Sequence, residues 1–561
     1  MLAIRTTLTT SAVALFVALS GPAVAQVAAG ETVAGDQTVT RPEQGWQEFI
    51  AGALEDALRL RRANLDYASK RDDAALVEFY AERQHKPIWL DDGRLNQRAR
   101  ETIAFLDRVD IFGLDPRLYQ TPSLELGADE PAPSTTLADA ELQLSRSALA
   151  YARHAYSGRL NPASLSENLT NKPELPDPIQ ILQSLAGSND IAGTLTAQNP
   201  QHPEFQALRE KLAELRREAA AEGGGQPIPR GRTLKPGMSD VRVGALKKRL
   251  GIALPPPEEA IPAEIDRYDG EIVDAVMKYQ EENGLKPDGI VGPATLAALN
   301  SSAYDKIARV IANMERWRWL PHDLGTFRVM VDIPGFMVNV YDGRKVVYSG
   351  RVVVGKPQNQ TPIFSDEFEY IEVNPYWNVP RSIAANEIIP AVLEDPDYLR
   401  RGNYQVVAGD DNNRAVLLDP YSIDWYTVDP SNLPFRFRQP PGRGNALGNV
   451  KFMFPNKHDV YLHDTPARSL FSRDRRAYSH GCVRLHEPLA FAEALLTGDA
   501  QLTAGVVRKE ISRGQNRALG LSRKVPVHLT YFTAYVDEAG KLQFHEDIYG
   551  HDQRVMAALG L

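Results

Sequence analysis

The sequence predicts a multidomain α+β protein: a helical N-terminal block, a small three-helix module, and a mainly-β C-terminal domain carrying a long irregular insert. Three observations carry this reading. At 561 residues the chain is too long for one core, given roughly 150 residues per domain. Apolar residues recur at three- and four-residue spacing through Trp319, then alternate from Phe327 onward, a switch from helical to strand period. A glycine run, Glu222-Gly-Gly-Gly-Gln226 followed by Pro227 and Pro229, separates the first helical block from the second.

The elements follow in order. Residues 1–25 read as a Sec-type signal peptide. Arg5 supplies the positive start, Ser11 to Leu19 the short apolar run, and Ala23-Val24-Ala25 the small-residue cleavage site. That run falls short of the ~20 residues needed to span a bilayer, and no later segment reaches that length, so an exported chain with no transmembrane segment is expected. Residues 43–223 form the helical block, with periodic stretches at Ala63 to Ala81, Gln97 to Val109 and Leu137 to Tyr156; Asp115-Pro116 and Asn161-Pro162 read as turns between them. His85, His154 and His202 are isolated there, and surface or capping roles are expected for them.

Residues 232–300 form the compact module: a helix over Asp240 to Leu250, a proline-rich excursion, a helix over Gly270 to Asn283, then a tight turn at Asp288-Gly289. Pro293 suits the first turn of a further helix, where its missing N–H costs nothing. The Tyr279-Gln280 pair with Asp288-Gly-Ile-Val-Gly-Pro-Ala-Thr295 resembles the peptidoglycan-binding domain 1 family, small three-helix units attached to wall enzymes. Residues 301–325 read as a connecting helix.

The β domain spans 326–536. Strands are expected at Phe327 to Ile333, Phe336 to Tyr341, Lys345 to Val354, Glu367 to Val373, Asp459 to Leu462 and Pro526 to Val536, with a hairpin at Asp342-Gly343. The insert, 379–450, carries one expected helix near Ile383 to Leu393, and its aromatics Trp425, Tyr426, Phe435 and Phe437 argue for an ordered lid. Residues 537–561 read as a C-terminal tail.

Composition narrows the function. Apolar content of 43% and charged content of 24% are ordinary for a globular protein. A formal charge of −9 disfavours a nucleic-acid partner, which needs a basic face, and leaves glycan-peptide polymers open. Cys482 is the only cysteine, so no intramolecular disulfide forms. In isolation such a thiol is more often a small buried hydrophobe. Its neighbours reverse that.

His463 follows a short apolar strand, and Cys482 lies in Ser479-His-Gly-Cys-Val-Arg-Leu485. A thiol attacks carbonyls as thiolate, and a paired imidazole both raises that fraction and later deprotonates an attacking amine. Gly481 permits unusual backbone angles, so N–H groups around 480–482 can converge as an oxyanion hole, worth about 3 kcal/mol per donor. Tyr461-Leu-His-Asp-Thr-Pro466 followed by Ser479-His-Gly-Cys482, with fifteen residues between His463 and Ser479, resembles the signature of L,D-transpeptidases with a YkuD-type catalytic domain. Asn374-Pro-Tyr-Trp-Asn-Val-Pro380 and Ser431-Asn-Leu-Pro-Phe-Arg-Phe437 are similar to the large periplasmic subfamily, which joins a scaffold, a peptidoglycan-binding domain and a catalytic domain with a capping insert.

That resemblance implies a function. Cys482 attacks the diaminopimelate–D-alanine bond of a tetrapeptide stem with His463 as base, and Ser479, His480 and Gly481 shape the site. Arg484 holds the loop or a substrate carboxylate, while Tyr461 and Trp377 line the substrate channel. Release of D-alanine leaves a thioester, which a second stem's amine converts into a 3→3 cross-link. The resemblance also implies carbapenem acylation of Cys482, a periplasmic location, the sacculus as partner, and glycan polymerases and carboxypeptidases as neighbours. No cofactor and no metal are expected: His458, His463, His480, His486 and Cys482 lie close in sequence without a zinc spacing. Papain-like peptidases are disfavoured because their cysteine precedes the histidine. L,D-carboxypeptidation, D-amino-acid exchange and a non-enzymatic wall-binding scaffold are the alternatives. His458 and His486 read as solvated bystanders, and Asp464 either orients His463 or caps the next turn.

Overall fold

A computed structural model describes residues 45–60, 65–124, 132–221, 228–229, 231–256, 262–300, 303–409 and 416–561. The expected signal peptide and the glycine linker lie outside the described residues.

The N-terminal block is built from α1 (Trp46–Arg59), α2 (Tyr67–Glu82), α3 (Gln97–Leu106), α4 (Ser134–Ser157) and α5 (Pro178–Gly187). α4 is buried around most of its circumference, and α1, α2, α3 and α5 pack on it. Inside sits Glu141, whose carboxylate accepts from the N–H of Ile88 and Trp89 and from the Tyr80 hydroxyl. The dipeptides expected as turns are helix starts: Asp115 and Asn161 cap short helical segments that begin at Pro116 and Pro162, the side-chain oxygen taking the next free N–H. His154 is no surface residue; its Nδ1 lies 3.0 Å from the Tyr119 hydroxyl, and burial pushes its pKa down to about 3.

α6 (Pro203–Ala221) leaves this core. Its Phe205, Leu208 and Leu212 join Val310, Ile311 and Met314 of a later helix, α10 (Ala303–Trp317). Between the two lies the small module, α7 (Val243–Arg249), α8 (Gly270–Glu282) and α9 (Pro293–Asn300), with its own core around Tyr268, Ile272 and Val276. Buried Gln280 explains the motif. Its side-chain oxygen accepts from Gly289 N–H, and its amide donates to Asp288, the Ile290 carbonyl and Thr295. Gly289 sits at φ +66°, a left-handed conformation that favours glycine.

The C-terminal domain is a nine-stranded sheet in the order β11-β3-β12-β10-β9-β4-β13-β1-β2. Its strands are β1 (Phe327–Asp332), β2 (Met337–Asp342), β3 (Lys345–Gly355), β4 (Phe364–Val373), β9 (Val450–Met453), β10 (Leu462–His463), β11 (Ala477–Ser479), β12 (Val483–Leu485) and β13 (Arg517–Thr530). A further β2–β3 pairing closes the sheet on itself around one apolar core. α11 (Pro488–Leu495) and α12 (Ala504–Ser512) cover it.

Four expectations change here. The strand expected at Asp459 starts only at Leu462, because Asp459 adopts φ +52° and turns the chain first. The last long strand begins at Arg517, where charged residues hide the alternation; it shifts register between Gly520 and Val525 and ends at Thr530, before the separate β14 (Ala534–Val536). The insert holds a four-stranded sheet, β5-β8-β6-β7, made of β5 (Trp377–Asn378), β6 (Gln405–Ala408), β7 (Val416–Leu418) and β8 (Arg436–Gln439). It packs on a helical stretch over Arg381–Glu394 through Ile388, Val392, Val406 and Phe437. Strands this short show no readable alternation. Finally, 537–561 is no tail: β15 (Leu542–Phe544) pairs with β14, and α13 (His551–Leu559) packs on α10, where buried Asp552 meets Arg316 at 2.6 Å.

Candidate active site

Strand register assembles the site. β10 and β12 run parallel, with Leu462 opposite Val483 and His463 opposite Arg484. Residues two apart share a face of a strand. Tyr461 and His463 therefore project on the same face as Cys482 and Arg484. On the other side β9 places Lys451 opposite His463, and β4 places Glu372 opposite Lys451. The resulting row across four strands reads Arg484, His463, Lys451, Glu372. A cavity of about 690 Å³ opens over it, lined by Cys482, His463, Tyr461, Arg484 and Lys451, together with Trp377 from just before the insert.

His463 is buried, and its Nδ1 lies 2.5 Å from the Asp464 carbonyl. A carbonyl only accepts, so Nδ1 carries the hydrogen and Nε2 keeps a free lone pair. Asp464 thus orients the ring through its backbone. Its carboxylate is engaged elsewhere, accepting from Asn449 N–H, Thr465 N–H and Arg468. Burial, reinforced by Arg484 and Lys451, pushes His463 down to about 3, which leaves it neutral. Tyr461 packs edge-on against its ring at 5.7 Å and carries the Lys451 ammonium on its own face at 4.3 Å.

Cys482 is half-buried, and its Sγ–H points to the Asp459 carbonyl at 3.7 Å. Burial raises the thiol pKa, against opposing pulls from the Tyr461 N–H, Lys451, the Tyr461 hydroxyl and Arg484. At rest the pair is therefore neutral thiol and neutral imidazole, so the imidazole does not raise the resting thiolate fraction that the sequence reading expected it to raise. Among the described residues no hydrogen bond joins them.

The loop before the thiol is stapled internally. Ser479 Oγ donates to the Cys482 carbonyl at 2.5 Å and accepts from Gly481 N–H at 3.2 Å. Gly481 sits at φ +118°, so glycine is needed there, but its N–H is occupied and does not face the cavity as an oxyanion donor. The Thr361 hydroxyl holds the Gly481 carbonyl at 2.7 Å, and Tyr549, from the stretch expected as a tail, clamps Thr361 N–H and the Gly355 carbonyl. His480 turns to the rim, where its Nε2 meets Glu387 of the insert at 2.5 Å and Lys356 at 3.1 Å. Arg484 is partly buried, and its Nε has no hydrogen-bond partner. Trp377 lines the cavity and also packs on Tyr404 in the insert core. Among the described residues no group of three His, Cys, Asp or Glu side chains is placed to hold a metal.

Lys451, Thr361, Tyr549 and Glu387 escaped sequence reading because only cross-strand register and long-range loops bring them in. His458 is no bystander: it lines the cavity and bonds to Thr170. His486 packs on Phe471.

Comparison with known proteins matches three stretches of the chain. Residues 74–212 match a scaffold domain, 240–299 a putative peptidoglycan binding domain, and 326–507 the L,D-transpeptidase catalytic domain, YkuD. A putative L,D-transpeptidase of Haemophilus influenzae is 33% identical over 252 residues, 45% of this chain and 49% of that protein, so the chain spans about half the length of this relative. Among solved structures, an L,D-transpeptidase from Mycobacterium smegmatis is 14% identical over 36% of this chain and 58% of its own, with a TM-score of 0.18. One from Xylanimonas cellulosilytica is 15% identical over 54% of this chain and 100% of its own, with a TM-score of 0.16. The chain therefore carries a YkuD-type L,D-transpeptidase catalytic domain alongside scaffold and peptidoglycan-binding domains.

Proposed function

We propose that the protein cross-links peptidoglycan stems by L,D-transpeptidation through a thioester on Cys482, after export to the periplasm. The observation that carries this is the lone cysteine beside a neutral, backbone-tethered His463 in one cavity of the sheet. His463 Nε2 takes the thiol proton as Sγ attacks the carbonyl carbon between diaminopimelate and D-alanine. The C–N bond breaks, D-alanine leaves with that proton, and a thioester remains. The side-chain amine of a second stem then attacks, His463 removes its proton, the C–S bond breaks, and the thiol is restored with a 3→3 cross-link formed. Arg484, whose side chain lines the cavity, holds a stem carboxylate. Tyr461 and Trp377 contact the stem, and the N–H groups of 480 and 482 stabilise the oxyanion.

The insert favours transfer over hydrolysis, because a covered cavity limits water. The same thiol accepts a carbapenem acyl group. Mass spectrometry of muropeptides after incubation with tetrapeptide stems tests the reading. Cross-linked dimers with released D-alanine, lost on Cys482→Ala, are expected. Trimmed tripeptides without dimers would make the protein an L,D-carboxypeptidase, and intact stems with retained sacculus binding would make it a wall-binding scaffold.

A further inference from the structure

We infer that residues Asn168 to Thr170 of the scaffold block are a working part of the catalytic site, a strap that holds the two loops flanking Cys482, with Thr170 as the positioning residue. Leu169 is fully buried, and it is buried in the core of the β domain rather than in the scaffold's own core. It forms a parallel bridge with Ile363, sealed by Ile363 N–H to the Asn168 carbonyl at 2.8 Å and Thr170 N–H to the Ile363 carbonyl at 3.0 Å. A segment of one domain thus adds a short strand to another.

One loop reaches the residue before the thiol, and the other reaches the thiol itself. In the first, the Asn168 side chain donates to Gln360 at 3.3 Å, the Gln360 carbonyl faces Gly481, and Thr361 holds the Gly481 carbonyl. In the second, Thr170 Oγ1 lies 3.0 Å from His458 Nε2, and His458 precedes Asp459, whose carbonyl receives the Cys482 Sγ–H. Asp459 is a non-glycine residue at φ +52°. Asn456 closes this turn from within, accepting from His458 N–H and Val460 N–H, and the Thr170–His458 bond adds a constraint from outside the catalytic domain.

The inference rests on Cys482 as the reacting atom, and its test does not need the wall substrate. Cys482 is the sole cysteine, so its alkylation by iodoacetamide is read directly from intact mass. In the full chain, well below the melting temperature, Thr170→Val removes the hydroxyl and should slow alkylation roughly fivefold, with Thr170→Ser back within about twofold of wild type. With stem peptides, kcat should fall by the same factor while KM holds. Asn168→Ala, which keeps the backbone bridge, should act in the same direction and decides the matter if Thr170→Val does not fold. Wild-type alkylation and kcat in the variants, even with a lowered Tm, would overturn the inference. A wild-type protein inactive on stems would sink the proposed function, while the alkylation comparison would still test the strap.

Discussion

Replacing Ser479 with alanine is the most informative single perturbation of the loop. Its side chain is 1% exposed and ties together two backbone groups: it donates to the Cys482 carbonyl and accepts from Gly481 N–H. Alanine removes both bonds and leaves the Gly481 N–H in a buried setting without a partner. A lost neutral hydrogen bond costs about 1 kcal/mol, and a stranded buried donor raises the total to roughly 2 kcal/mol. The loss falls on the geometry of residues 480–482, because Thr361 still holds the Gly481 carbonyl and pairing with β10 still anchors Val483. If it is felt in the acylation step, about 2 kcal/mol corresponds to a roughly 30-fold fall in kcat. The assay is release of D-alanine from tetrapeptide stems, followed alongside thermal unfolding. A kcat within about twofold of wild type would refute the claim that this hydroxyl organises the nucleophile's loop.

Three other outcomes follow from the same structure. Lys451→Met removes a cation that disfavours protonated His463, so the acid limb of the kcat/KM profile should move to higher pH; an unmoved limb would contradict the cross-strand coupling. Gly289→Ala puts a side chain at φ +66°, its Cβ 2.8 Å from Val273, and should destabilise the small module by about 1–2 kcal/mol, seen as weaker sacculus binding with stem turnover intact. Burial raises the Glu141 pKa to about 7 from 4.5, so the folded chain keeps a proton that the unfolded chain has lost. Its contribution to stability is therefore full below pH 4.5 and lost as pH rises through about 7, a change on the order of 3 kcal/mol. Because glutamine does not titrate, the wild-type denaturant midpoint should fall relative to that of Glu141→Gln as pH rises; parallel curves would refute the assignment.

The sequence revealed what is local. The Ser479-to-Leu485 motif, the Asp288-Gly289 turn and the long amphipathic helices are written in adjacent residues, and the fold brings His463 and Cys482, nineteen positions apart, to one cavity. What stayed hidden depends on distance along the chain. Lys451 becomes a neighbour of His463 only through strand pairing, and Tyr549 supports the catalytic loop from the far end of the chain. The insert's strands of two to four residues, set among glycine and aspartate, carry no period to read. Nor does a lone Asn-Leu-Thr in a helical block announce that it completes another domain's sheet. The resting charge of the thiol was also hidden, since burial sets it and burial belongs to the fold.

The central claim is that the Cys482 sulfur takes the stem's acyl group with His463 as base. Intact-protein mass spectrometry of the full chain, quenched in acid during turnover of tetrapeptide stems, tests it. The expected result is a single hydroxylamine-labile tripeptide adduct on wild type, absent from Cys482→Ala and forming far more slowly on His463→Ala. An adduct that survives on Cys482→Ala, or cross-linked product made without that sulfur, would contradict the account.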